Sequence, residues 1–172
     1  MNKINILLTG ANGNLSDKKE MIVKAIKIAE EYVFPKLKID WDIDVLVTSR
    51  LHDILIPEDG VGGRTITADF IEFAINQEKA TENLISEMLV HELCHAARWG
   101  KNDELISSLL DGIISEGIAT YFEAEFIKNR NERTIFIKTI LGRSDEENEK
   151  ILDQLRDRLD SNEYDYNAIF FT

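Results

Sequence analysis

A single cysteine, Cys94, occurs in the 172 residues, so the chain can form no internal disulfide and nothing argues for an oxidising compartment. Basic residues are also scarce: 20 stand against 32 acidic ones, a formal net charge of −12. The deficit is spread along the chain, with 11 basic and 16 acidic residues up to Gly100 (−5) and 9 and 16 beyond it (−7). No basic face is left for a phosphate backbone, which argues against nucleic acid and anionic membrane as partners. The one basic cluster, between Lys128 and Arg133, reads as a solvated helix end. Apolar runs are short: that of Ile4–Leu8 is too brief for a signal-peptide core or a membrane span, and a cytoplasmic location is expected. Internal repeats, low-complexity stretches and long linkers are lacking too. The length suits one domain over 1–172, with a sheet part at about 1–78 and a helical part at about 79–172.

Histidine is rarer than any charge, at three residues, yet two of them fall in His91-Glu92-Leu93-Cys94-His95. The run 81–99 has a helical pattern, and residues four apart on a helix lie one above the other. His91 and His95 would then sit side by side, able to grip one metal ion. Glu92, turned about 100° from them, could reach a water on that metal. This is H-E-x-x-H, in which the glutamate serves as general base. Catalytic zinc takes three protein ligands and an open position. The third histidine, His52, lies far upstream, and the metzincin pattern fails because Lys101 stands where its third histidine belongs and Arg98 where its glycine belongs. A glutamate from a later helix remains, and Ser115-Glu116-Gly117-Ile118-Ala119 supplies one. Ser108-Leu109-Leu110-Asp111 is a capping box. A helix starting there places Glu116 ~12 Å along, level with the histidines after a return loop over 100–107. Gly117 and Ala119 are expected to let the two helices approach closely.

H-E-x-x-H followed about twenty residues later by Glu-Gly-x-Ala resembles the gluzincin metallopeptidases, including the aminopeptidase N group. The finer pattern, His-Glu-x-x-His-x-x-Arg and then a Glu-Gly-x-Ala helix after a Gly-rich loop and strands, is similar to a family of small bacterial predicted zinc-dependent proteases. The likeness covers about 60–123, with His91, Glu92, His95, Arg98, Glu116, Gly117 and Ala119 matching. It implies His91, His95 and Glu116 as ligands of one Zn2+ per chain, Glu92 as catalytic base, and a peptide or protein as substrate. It also implies that the strand Phe70–Ile75 borders the cleft and pairs with an extended peptide. The family picture includes a closing segment with Gly and Tyr; here the chain ends shortly after Tyr164-Asp165-Tyr166-Asn167, a point of departure. Two other readings stand beside the peptidase: a zinc-binding protein of the same fold without proteolytic activity, and a nucleotide-binding oxidoreductase.

The oxidoreductase reading comes from the start of the chain. A strand at 3–9 runs into Gly10-Ala11-Asn12-Gly13-Asn14-Leu15 and then a helix, as in dinucleotide-binding folds. Against it, Ser16 stands where a third glycine belongs, the next strand begins about ten residues late for a compact βαβ unit of ~30 residues, and Tyr32 to Lys36 encloses Pro35. The helix is expected to start from an Asp17–Glu20 capping box and to stop at Pro35. A strand over Ile43–Thr48 and a loop over 57–63 follow. Across 64–76 the apolar parity changes between Phe70 and Ile71, which predicts two strands with a turn or bulge near Ala68 and Asp69.

Beyond the ligand helix, 133–141 and 144–159 read as amphipathic helices burying Ile140, Leu141, Ile151, Leu152, Leu155 and Leu159. The fold class is therefore α+β: a small mixed sheet packed on a zincin-like core of two metal-bearing helices, with helices after it. Candidates to steady an oxyanion are Tyr121, Tyr164, Tyr166, His52 and Arg98. Glu123, two turns past Glu116 on the same face, is a candidate to orient a ligand, with Glu87 and Asp111 weaker ones. Cys94 reads as core packing.

Overall fold

A computed structural model describes residues 3–10, 15–50, 53–101, 107–128, 133–165 and 169, with the backbone alone at Phe136. Four strands, β1 (Ile4–Leu8), β2 (Ile43–Thr48), β3 (Val61–Thr67) and β4 (Phe70–Ile75), form one mixed sheet in the order β1-β2-β4-β3. β1 and β4 both run parallel to β2, and β3 is antiparallel to β4. The helices are α1 (Lys19–Leu37), α2 (Glu82–Trp99), α3 (Leu109–Ile127), α4 (Ile135–Gly142) and α5 (Asp145–Leu155). The class is mixed α+β, as expected.

Strand alternation decides which face of the sheet is buried. Ile43, Val45 and Val47 of β2 share a face with Ile71, Phe73 and Ile75 of β4, and all six are buried in one cluster with residues of α1 and α2. The opposite face carries Asn5 hydrogen-bonded to Asp44 (2.9 Å) and Arg64 paired with Glu72 (2.9 Å). One face is thus core, and the other carries these polar pairs together with Leu7, Leu46 and Phe70. α2 lies over the core face, against α1, α3 and β3. Fourteen of its eighteen residues are buried, which is why its sequence is apolar nearly all round except at the site. No helix among the described residues is long and apolar enough to cross a membrane.

Several local expectations hold. Thr81 caps α2 by accepting from the Leu84 N–H (3.3 Å), and Ser108 and Asp111 close a reciprocal capping box on α3. The parity change in 64–76 is a turn at Ala68 and Asp69, with a register shift between Thr65 and Thr67.

Others need correction. α1 begins at Lys19 after a 3₁₀ turn that ends at Lys18, with no side-chain cap from Asp17, and it passes through Pro35 to Leu37. Proline there lacks an N–H only in the last turn, and the helix still closes through Lys38 in the left-handed region (φ 53), whose N–H reaches the Phe34 carbonyl. That long α1 also spans the distance judged excessive for a crossover, since β1, α1 and β2 do make a parallel unit. β3 starts at Val61, inside the stretch read as loop, because Val61, Gly62 and Gly63 pair with Ile75, Ala74 and Phe73 of β4; glycine is needed at 62 because the Ile54 carbonyl occupies the space of a Cβ. β4 is paired on both sides, so the sheet edge beside α2 is β3, not Phe70–Ile75; Val61 at its start pairs outward with Ile56, and beyond that bridge no strand among the described residues covers the edge. Finally, the apolar residues expected to be buried by these helices are not: α5 buries none of its residues, with Ile151 and Leu152 exposed and Leu155 half-buried, while in α4 Leu141 is exposed and Ile140 half-buried, and Leu159 beyond α5 is half-buried. The amphipathic period marks a face fit for packing but names no partner for it.

Candidate metal centre

α2 and α3 pack side by side, and the buried residues of α3 in the stretch facing the site are Gly112, Ser115, Ala119 and Glu123. Of these, Gly112, Ser115 and the fully buried Ala119 are the small residues that permit close approach. Gly117 is not among them: a Cβ there would meet nothing within 4 Å, so contrary to expectation it is not a spacer between the helices.

The approach brings His91, His95 and Glu116 together, each offering one ligand atom, with all three atoms within 4.8 Å of one another. His91 Nε2 is 3.1 Å from His95 Nε2 and 3.2 Å from Glu116 Oε2, and His95 Nε2 is 3.6 Å from Glu116 Oε1. Tetrahedral zinc with ligands at ~2.0–2.1 Å separates them by about 3.3 Å, so these edges suit that ion. Electrostatics agree. Burial by itself would depress the His91 pKa, but hydrogen bonds to Glu116 and then Glu123 hold it well above the ordinary imidazole value. Burial would likewise raise Glu116, yet His91 and His95 hold its carboxylate well below the usual range. Two ring nitrogens and a carboxylate this close demand a positive charge among them, and a divalent cation supplies it as a proton does.

The other ring nitrogens are also held. His91 Nδ1 is 3.0 Å from Glu123 Oε2, and His95 Nδ1 is 3.2 Å from Ser115 Oγ. A carboxylate only accepts, so His91 carries a proton on Nδ1 and directs Nε2 to the centre. Behind Glu123 stands Thr134, whose Oγ1 lies 3.5 Å from Glu123 Oε1 and 2.8 Å from Glu87 Oε1. Glu87 also accepts from the Thr134 N–H (2.9 Å), and burial, the largest influence on it, pushes its pKa up to about 8. Asp59 accepts from the Ile135 N–H (2.8 and 3.0 Å), fixing the start of α4 against the same region.

Glu92 is buried beside the histidines, next to β3 rather than α3. Thr65 Oγ1 is 2.8 Å from its Oε2 and 2.9 Å from its main-chain oxygen. A Cβ on Gly63 would lie 2.9 Å from Glu92 Cδ and Oε1 and nearer still to Cγ, so the glutamate occupies the space a side chain would need.

Glu123 therefore stands where an orienting residue should, and Glu87 stands one residue further out. Asp111 does not join them: it caps α3 through Ser107 and Ser108. Tyr121 is 69% exposed on the outer side of α3, and Tyr164 donates to the Ser108 carbonyl (3.3 Å). Arg98 is half-buried in the last turn of α2, and Cys94 is buried in that helix. His52, Tyr166 and the Ala11–Asn14 part of the glycine-rich turn, 11–14, lie outside the described residues. Thr65, Ser115 and Asp59 were not singled out from the sequence. Gly63 and Thr65 share the parity of the buried Val61, which is the signal that marks them as facing α2.

A family model described as "Predicted Zn-dependent protease (DUF2268)" matches residues 19–171. No curated protein and no solved structure matches the chain.

Proposed function

The chain belongs to this family of predicted Zn-dependent proteases, and from that premise we propose that it is a zinc-dependent peptidase of gluzincin type, one zincin-like domain over 1–172. His91, His95 and Glu116 hold one zinc ion and Glu92 is the general base. The observation that carries the reading is the spacing of three ligand atoms at 3.1, 3.2 and 3.6 Å with a buried glutamate next to the first of them. Support for a single domain is the shared core, which runs from Ile4 to Ile137.

When bound, zinc supplies a Lewis acid and lowers the pKa of water towards neutrality. The chain's own residues do the rest. Glu92 accepts a proton from the attacking water on its carboxylate and delivers it to the leaving amine. Glu123 and Ser115 keep the histidine rings turned so that both Nε2 atoms face the centre. The substrate is a peptide or protein segment, and the edge of β3 beyond the Ile56–Val61 bridge, beside Glu92, is where an extended backbone can add as a further strand.

The test is zinc content together with cleavage of a peptide library. Wild type is expected to carry about one zinc per chain and to cleave; His91→Ala loses the zinc; Glu92→Gln keeps it and falls by about a hundredfold or more in rate, the scale of general-base catalysis. Cleavage unaffected by Glu92→Gln would refute the mechanism. Zinc binding with no cleavage of any peptide would favour the non-proteolytic reading.

A further inference from the structure

Glu92 is a carboxylate on three rotatable bonds, and a general base works only within hydrogen-bond reach of the proton it takes. Two side-chain positions of β3 bound its freedom. At Gly63 the missing Cβ leaves the space that the glutamate fills, with Oε1 over the glycine. At Thr65, two residues on and on the same strand face, the hydroxyl lies 2.8 Å from Oε2 and 2.9 Å from the main-chain oxygen of Glu92 itself. The single hydroxyl proton is shared between these two acceptors, a contact that draws the far end of the side chain towards its own backbone and favours this rotamer. Thr65 is half-buried, so water competes poorly for the contact.

We propose that Thr65 is a positioning residue for Glu92: the edge strand that lies open beside the site also sets the rotamer of the base. The proposal rests on the reading of Glu92 as general base. Its consequence is a separation of roles. The histidines are steadied by α3, whereas the base is steadied by β3, so loss of the Thr65 hydroxyl changes turnover without changing metal binding.

The experiment uses the full zinc-loaded chain as wild type, Thr65→Val, Thr65→Ala and Thr65→Ser. Valine matches threonine in shape and suits a strand; alanine is a second hydroxyl-free variant should valine disturb folding; serine keeps the hydroxyl. Zinc content, kcat and KM on a peptide that wild type cleaves, and crystal structures of the zinc-loaded proteins are measured. Expected are unchanged zinc content, a fall in kcat of about ten- to a hundredfold for valine and alanine with KM nearly constant, recovery by serine, and a displaced Glu92 carboxylate in the hydroxyl-free variants only. An active wild type with unaltered kcat in Thr65→Val and Thr65→Ala would overturn the proposal and leave the peptidase reading standing. A wild type that cleaves nothing would overturn the peptidase reading instead. The crystal structures then decide the positioning: a Glu92 rotamer indifferent to the hydroxyl overturns it, and one that follows the hydroxyl upholds it.

Discussion

Replacing Glu123 by glutamine tests whether the residues behind the ligands tune the metal. Glu123 is 1% exposed, and its Oε2 receives the Nδ1 proton of His91 at 3.0 Å. Glutamine keeps the shape and an acceptor oxygen but removes the charge, turning a charge-assisted bond into a neutral one of roughly half the strength. Loss of such a partner lowers metal affinity by about ten- to a hundredfold, or roughly 1.4–2.7 kcal/mol. A second effect opposes it. Glu116 and Glu123 together hold the His91 pKa well above its ordinary value, so near neutral pH a proton competes with the metal for the ring. Without the Glu123 charge that proton binds less tightly, and the competition eases. The net loss should therefore sit near the lower figure at neutral pH and grow as pH rises to where wild-type His91 is already neutral. Competition against a chromogenic zinc chelator at two pH values measures both numbers, with circular dichroism to confirm folding. Affinity within twofold of wild type at the higher pH would refute the argument.

Two further outcomes follow from the same contacts. Gly63→Ala puts a methyl 2.9 Å from Glu92 Oε1 and Cδ, so the base must rotate away; kcat should drop at least about tenfold while zinc content holds, and unchanged turnover would show that the strand can yield instead. Glu87→Gln keeps an acceptor for both Thr134 donors but abolishes the ionisation that burial has raised to about 8. A raised carboxyl contributes stability that is complete below its unfolded value and is lost as pH climbs through the folded one. Thermal unfolding of the metal-free proteins should thus converge at acid pH, with wild type losing ground to the variant between roughly pH 4.5 and 8; parallel curves over that range would count against a raised Glu87.

What could be read from the sequence was what short spacing determines. The caps at Thr81 and Ser108, the i, i+4 pair of histidines and the two-turn separation of Glu116 from Glu123 all depend on the helical period and on neighbours within one or two turns. The parity change before β4 is local in the same sense. Misreadings arose where distant contacts overrule local preference. Gly62 and Gly63 look like loop residues, and they become strand by pairing with Ala74 and Phe73 of β4, where Ile54 and Glu92 leave no room for side chains. Thr65 bonds a residue 27 positions away and Asp59 one 76 positions away, and no local pattern carries either pairing. The packing argument that made Gly117 a helix spacer fails, since the buried small residues of α3 are on another face. The apolar face of α5 shows the reverse limit: its periodicity is real, yet no burial follows from it.

Support for the site comes from two elements that need not change together. α3 delivers Glu116 to the centre and backs His91 and His95 with Glu123 and Ser115, so alterations on α3 act first on metal affinity. β3 delivers no ligand but bounds Glu92 through Gly63 and Thr65, so alterations there act first on turnover. This separation gives the choice between an active peptidase and a zinc-binding protein without proteolysis a structural address. A chain that kept zinc but abandoned hydrolysis would need nothing altered on α3, and relaxed requirements for a small residue and a hydroxyl on β3 would suffice. Here the glycine and the threonine are both in place, against a glutamate already held in one rotamer. That arrangement is what the proposed role of Glu92 as a base would call for.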